Sequence, residues 1–288
     1  MADIEQPASN KKTIKWFDAK VKVAVEEIND LYSKYRLNEA LMAAFKLFTD
    51  EFSGWYLEMI KPAYQAPIDA ETLKATLNFF ETLMKILHPF MPFITEELYQ
   101  HIAERKDGDS IMVSTLSIEA PTEEDKSLIA QYEEAKQIIS GVRAVRQSKN
   151  IAQREPLALE VVVENDDVRN VTKCPALGPV VKKMAGLSDI IYVNQKSEGT
   201  SAFLIGTTEY AVPLGNLIDV DAEIEKQEAQ LKHLEGFLTG VMKKLSNERF
   251  VQNAKPEVVA LERKKQSDSE EKIASLKESL AKLYAQKK

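Results

Sequence analysis

At 288 residues and a net charge of −7, the chain is long enough for two or three domains, and its acidic balance argues against a polyanion ligand for the molecule as a whole. Ten glycines leave little scope for phosphate-cradling loops. The single cysteine, Cys174, excludes an internal disulfide and points to a reducing, cytoplasmic setting.

The opening MADIEQPASNKK has no apolar core, so it reads as a flexible leader over residues 1–12 rather than a signal or a membrane anchor. No later run approaches the roughly 18 apolar residues that a membrane span needs. From Lys11, residues Ile14, Phe17, Val21, Val25, Ile28 and Leu31 recur at three/four spacing and predict one amphipathic helix. After a break at Lys34 to Leu37, with Asn38 as N-cap, a second helix buries Leu41, Phe45, Phe48, Phe52, Trp55, Tyr56 and Met59, and Pro62 stops it. Asp69 caps a third helix through Leu73, Leu77, Phe80, Leu83 and Leu87. Pro92 starts a fourth, from Phe93 to about Arg105. Thr122 to Asp125 has the form of a capping box with Asp in place of Glu, opening a fifth helix to about Gln147. Five helices with short links predict a bundle over residues 13–150.

The pattern changes at Pro156. Leu157 to Val163, Ile190 to Val193 and Ala202 to Val212 are rich in β-branched residues, with a short helical piece, Ala176 to Ala185, between the first two. Residues 151–217 therefore read as a small α/β connector. From 218 to 288 the chain is helical again. Ile224, Leu231, Leu234, Leu238, Val241 and Leu245 line one seam, and Ile273, Leu276, Leu280 and Leu283 line another beyond Pro256, predicting an antiparallel coiled-coil hairpin. Glu262, Gln266 and Ser269 are polar intrusions in the second seam.

Chemistry for catalysis is not visible. His88, His101 and His233 have no partner at metal-ligand spacing, and His88 reads as a core or capping residue. Cys174, in KCPALGP, reads as a structural thiol. Phosphate-binding glycine motifs are absent, and the carboxylates sit beside lysines on helix faces as solvated pairs. The charge is nevertheless unevenly spread. Ser140 to Glu155 carries four basic residues against one acidic, and Lys243 to Lys265 carries seven against three. Such islands either contact phosphates or form solvated helix faces.

Two stretches carry a resemblance. YRLNEALMAAFKLFTDEFSGWYLEMIKP (Tyr35 to Pro62) and HPFMPFITEELYQ (His88 to Gln100) resemble the anticodon-binding domain of the class I aminoacyl-tRNA synthetases for valine, isoleucine and leucine, with Tyr99 where family members usually carry Trp. PLGNLIDVDAEIEKQEAQL (Pro213 to Leu231) and KLSNERFVQNAKPEVVALERKK (Lys244 to Lys265) resemble the C-terminal coiled-coil arm of the valyl-tRNA synthetase family. The link IISGVRAVRQSKNIAQREPL (Ile138 to Leu157) is similar to that family's exit from the bundle. The family's HIGH and KMSKS motifs, its nucleotide-binding fold and its editing domain have no counterpart in these residues, so the chain is expected not to be an enzyme by itself.

The resemblance implies a mainly α protein: a class I synthetase anticodon-binding helical bundle, a small α/β connector and a C-terminal antiparallel coiled-coil hairpin. It implies tRNA as partner, of the valine isoacceptor, with neither DNA nor a membrane, and a monomer. It implies no cofactor in this chain; ATP and the attachment of valine belong to the full-length enzyme. In the bundle the candidates for anticodon contact are Tyr35, Arg36, Asn38 and Lys61, with Arg143, Arg146 and Lys149 as phosphate contacts or a solvated face. Trp55 and Tyr56 read as core. On the arm, Lys243, Lys244, Asn247, Arg249, Lys255, Arg263 and Lys264 are candidates for the tRNA elbow. Phe250 either stacks on an elbow base or plugs the hairpin. The rival reading is a non-catalytic interaction protein whose hairpin binds a protein partner, which an apolar stripe left on the hairpin's outside would favour.

Overall fold

The structure, a computed structural model, describes residues 4–163, 171–215, 220–246 and 256–286. It is mainly helical, and its contacts divide it into two compact units. The first comprises Met1–Ser148 with Ala152–Pro213, and the second comprises Lys149–Ile151 with Leu214–Lys288.

In the first unit, helix α1 (Ala8–Ser33) starts inside the stretch expected to be a leader. Pro7 occupies the N-cap position, and buried Asn10 donates from Nδ2 to the Thr72 hydroxyl at 3.4 Å, so this segment has packing partners that periodicity alone did not reveal. Helix α2 (Leu37–Lys46) runs without a break through a π-helical stretch, Leu47–Tyr56, into α3 (Leu57–Ile60). Asn38 is not its cap. Arg36 holds that position, its N–H donating to the Leu31 carbonyl at 2.9 Å, and Asn38 lies inside the first turn. The buried face also differs from the expected one. Ala40, Ala44 and Leu47 are buried while Phe45 is exposed, because small side chains let α2 approach α1 closely and the wider π turns reset the phase.

Helix α4 (Ala70–Leu87) is capped as expected, with the Asp69 carboxylate accepting from the Thr72 N–H at 2.7 Å. Leu77, expected inside, is exposed. Helix α5 (Pro92–Ile102) ends three residues before Arg105, and an irregular stretch with a 3₁₀ turn at Ile111–Val113 precedes α6 (Glu123–Ser148). The Thr122–Asp125 capping box is formed: Asp125 N–H donates to the Thr122 hydroxyl at 3.1 Å, and Thr122 N–H to the Asp125 carboxylate at 2.9 Å.

Aromatic rings fill the core between these helices. Trp16 stacks on Tyr132 at 4.8 Å between centroids, and Phe17 meets Tyr56 at 4.8 Å, Phe79 at 4.9 Å and Phe52 at 5.4 Å. Beside them Glu51 accepts from Lys136 at 2.5 Å and pairs with Lys20 at 3.0 Å. Burial alone would raise the Glu51 carboxyl, but the two ammonium groups outweigh it and hold the group below its usual range.

The α/β module consists of β1 (Leu157–Val162), α7 (Leu177–Ala185), β2 (Leu187–Val193), β3 (Thr200–Ile205) and β4 (Thr208–Pro213). Strand order is β2-β1-β4-β3, with β2 parallel to β1 and the other pairings antiparallel. The β-branched stretch from Ala202 to Val212 forms the hairpin β3–β4, turned at Gly206 where φ is +58°. The module belongs to the same compact unit as the bundle and docks on α6 at Gly141. A Cβ there would come within 2.3 Å of the Phe203 ring.

The second unit contains α8 (Val220–Leu245) and α9 (Pro256–Gln286), which pair as an antiparallel hairpin. Ile224 and Leu280 pack together with Leu231 against them. Glu235 and Lys277 form a 2.8 Å ion pair, and the Tyr284 hydroxyl donates to Glu228, so numbers rise on one helix as they fall on the other. Helix α8, at 26 residues, is about 39 Å long. The expected seam is occupied by Ile224, Val241, Ile273 and Leu280, all buried, and Glu262 and Ser269 are buried within it. The side chain of Leu283 lies outside the described residues.

Gly141→Ala is expected to destabilise the first unit by about 1–3 kcal/mol through overpacking on Phe203, read as a lower denaturant midpoint. An unchanged midpoint would mean that the module does not dock there.

Candidate nucleic-acid interface

The bundle candidates do not converge on one site. Tyr35, Arg36 and Asn38 sit at the turn from α1 into α2. Lys61 follows α3, at the far end of a rod of 24 residues, roughly 36 Å away. At the first end Tyr35 is 90% exposed, held out by a left-handed backbone with φ +56°. Its neighbour Arg36 is engaged rather than free, with Nε donating to the Glu39 carboxylate at 2.6 Å and a second guanidinium contact to the same group. Lys34 pairs with Asp30 at 2.6 Å, so the cations at this end are matched by carboxylates.

The Lys61 end is built differently. Lys61 is exposed and contacts Glu58 at 3.1 Å. The loop that follows is framed by Pro62 and Pro67 and presents Tyr64, 93% exposed, beside Gln65 in a left-handed conformation. Lys183, from α7 of the α/β module, donates to the Met59 carbonyl at 3.0 Å and to the Lys61 carbonyl, closing the end of α3. Burial lowers the Lys183 ammonium from its ordinary value. Ile4, Asn10, Lys61, Pro62, Pro179 and Lys183 line a cleft here. The sequence reading missed Tyr64; its signal was an aromatic residue between two prolines, KPAYQAP.

Arg143 and Arg146, three residues apart on α6, have different fates. Arg143 is exposed, donates once to the Met184 carbonyl at 3.0 Å and lies 5.7 Å from the Trp55 ring. Arg146 is buried, and its guanidinium donates to four main-chain carbonyls: Gly186 at 2.7 Å, Glu155 at 2.8 Å, Ala152 at 3.0 Å and Ala185 at 3.3 Å. A phosphate cannot reach a guanidinium already spent on carbonyls inside the protein, so Arg146 is a structural staple and not an RNA contact. Lys149, just past the end of α6, is half-buried. Tyr56 is core, as expected, whereas Trp55 is half-buried under Lys136 at 5.3 Å as well as Arg143.

On the arm, Lys243, Lys244, Arg263 and Lys264 are all exposed. Lys244 on α8 and Glu262 on α9 lie 3.8 Å apart, so the two basic stretches do face one another across the hairpin. Asn247, Arg249, Lys255 and Phe250 lie outside the described residues.

The remaining candidates resolve as structural features. The His88 ring nitrogen Nδ1 lies 2.7 Å from the hydroxyl of buried Thr95, bracing the turn into α5. Cys174 is half-buried, with the Lys12 ammonium 3.3 Å from its sulfur. Burial pushes that thiol up, but the Leu177 and Ala176 amides and Lys12 together pull it below its ordinary value. Among the described residues no helix is long and apolar enough to cross a membrane.

Comparison with known proteins gives two family matches. The anticodon-binding domain of tRNA ligases matches residues 15–163, about half of the chain, and the valyl-tRNA synthetase tRNA-binding arm matches residues 219–284. Similar curated proteins include the valine–tRNA ligases of Phocaeicola vulgatus, 52% identical over 283 residues, and of Bacteroides thetaiotaomicron, 54% identical over 283 residues. In each case the match covers 98% of this chain and 31% of the relative. The valine–tRNA ligase of Agrobacterium fabrum is 28% identical over 273 residues, covering 93% of this chain and 28% of the relative. The chain thus spans about a third of the length of the curated relatives it matches.

Arg146→Met is expected to cost about 3 kcal/mol or more, because four main-chain carbonyls lose the charged donor that a buried guanidinium supplies. Arg143→Met should cost less than about 1 kcal/mol. Equal effects on the denaturant midpoint would contradict the assignment of the two arginines to different roles.

Proposed function

This chain belongs to the valyl-tRNA synthetases through their anticodon-binding domain and tRNA-binding arm, and we propose that it is the part of a valine–tRNA ligase that grips the tRNA. The observation that carries the reading is the pairing of the two family matches in one chain, in the order anticodon-binding domain then arm. The bundle would take the anticodon stem-loop and the arm would brace the elbow. Holding one RNA at two distant points raises the effective concentration at each.

Within the bundle we assign the anticodon to the Lys61 end rather than the Tyr35 end. Both ends pair cations with carboxylates, Lys61 with Glu58 and Lys34 and Arg36 with Asp30 and Glu39, but the Lys61 end adds the exposed Arg143 guanidinium and the proline-framed loop with Tyr64. Unpaired bases stack on aromatic faces and their phosphates pair with cations. On the arm, Lys243, Lys244, Arg263 and Lys264 would contact backbone phosphates, which position the RNA without reading its sequence. The whole ligase would use ATP to attach valine to its tRNA in the cytoplasm. This chain would contribute recognition as a monomer and would not activate the amino acid.

A second reading, a hairpin that binds a protein, is favoured by one observation. Phe237, Met242, Val258 and Leu261 are exposed on the arm.

Titration of the chain with valine and isoleucine tRNA transcripts at several salt concentrations separates the readings. Preference for valine tRNA with a steep salt slope, weakened about tenfold by Lys243→Glu with Lys244→Glu, is the expected result. Absence of binding at low salt would contradict the RNA reading and leave the protein-binding hairpin.

A further inference from the structure

Glu262 is a carboxylate placed where a coiled coil normally puts an apolar residue. It is buried in the seam of the arm, on the same helix face as Ser269 and Ile273, and faces helix α8 near Lys244. Its Oε1 accepts a hydrogen bond from Lys265, one turn along α9, at 2.8 Å. Its Oε2 is buried without a hydrogen bond, and the Lys244 ammonium of α8 stands 3.8 Å from it. The Lys265 hydrogen bond, opposed by desolvation and helped by the Lys244 charge, holds the carboxyl below its usual range, so it is ionised at neutral pH.

A buried, incompletely satisfied carboxylate is a poor stabiliser, since apolar side chains of similar volume serve a helix seam as well or better. Its other effect is on where cations sit. Lys244 is exposed and Lys265 half-buried, on different helices, and each carries three N–H donors of which the carboxylate occupies at most one. Their neighbours in sequence, Lys243, Arg263 and Lys264, are exposed. Unrestrained lysines on a helix surface would sample many rotamers, and ordering them on a phosphate costs side-chain entropy.

We infer that Glu262 is a positioning residue for polyanion binding: from inside the seam it tethers Lys244 and Lys265 of the two helices at one spacing, so that their free donors form a prearranged phosphate site. The inference rests on the reading of the arm as an RNA-binding element. It runs against simple charge counting, in which removal of an anion from a basic surface strengthens RNA binding.

That opposition in sign supplies the test. Affinity of the full chain for a valine tRNA transcript is measured across a salt series for wild type, Glu262→Gln, Glu262→Met and Lys244→Met, with circular dichroism of each. The expected result is that both Glu262 variants bind about three- to tenfold more weakly and lose about one phosphate contact from the salt slope. Glu262→Met should keep its helix content and melt no earlier than wild type, because an apolar side chain fills the seam. Adding Lys244→Met to Glu262→Met should then cost less than Lys244→Met costs in wild type. Equal or tighter binding by a folded Glu262→Met chain overturns the inference. So does loss of helix in both Glu262 variants, which would make the residue purely structural. Absence of salt-dependent binding by the wild type would instead overturn the RNA reading itself.

Discussion

The buried Arg146 guanidinium holds the first unit together at the point where α6 leaves the bundle. Four main-chain carbonyls, from the loop after α6 and from the α7–β2 turn, converge on one planar cation. No neutral side chain offers five N–H donors in a fixed fork, so no other residue type satisfies that set at once. The consequence travels. With the α7–β2 turn fixed to α6, α7 lies where Lys183 reaches the last carbonyls of α3, and the Lys61–Pro67 loop is framed from outside the bundle. The α/β module is therefore more than a spacer in the chain. It forms one wall of the cleft beside Lys61, through Pro179, Val180 and Lys183.

An acidic protein can serve a polyanion when its anions and cations are sorted locally. Interior ion pairs such as Glu51 with Lys136 and Lys20 absorb charge within the fold. Cations left on the surface at the Lys61 end and on the arm face outward, and the field near the surface, rather than the sum over the chain, governs contact. Lys34 and Arg36 at the Tyr35 end, Lys61 beside Glu58 and Lys244 beside Glu262 are each paired with a carboxylate, and all four remain exposed.

Much of the fold was legible because it follows from period and caps. The three/four spacing of Phe17, Val21, Ile28 and Leu31, the Asp69 cap, the Thr122–Asp125 box and the seam through Ile224 and Val241 are local patterns, and the structure has them. What failed was set by distant partners. The π stretch Leu47–Tyr56 shifts a buried face without any mark in apolar spacing, and the helix over residues 8–12 depends on Thr72, more than sixty positions away. The candidate site was harder still. Arg143 and Arg146 are indistinguishable as letters on a helix, yet one is exposed and the other is consumed by carbonyls 6 to 40 residues distant. Tyr35 and Lys61 flank the helical rod from Leu37 to Ile60 and stand at its opposite ends.

If the chain grips one tRNA through both the bundle and the arm, hydroxyl-radical cleavage of a valine tRNA transcript bound to the intact chain should show it. Two separate protected segments are expected, one over the anticodon loop and one over the elbow, with the elbow protection alone lost when the charges of Lys243 and Lys244 are reversed. Protection of a single segment, or uniform protection that ignores the position of those charges, would contradict it.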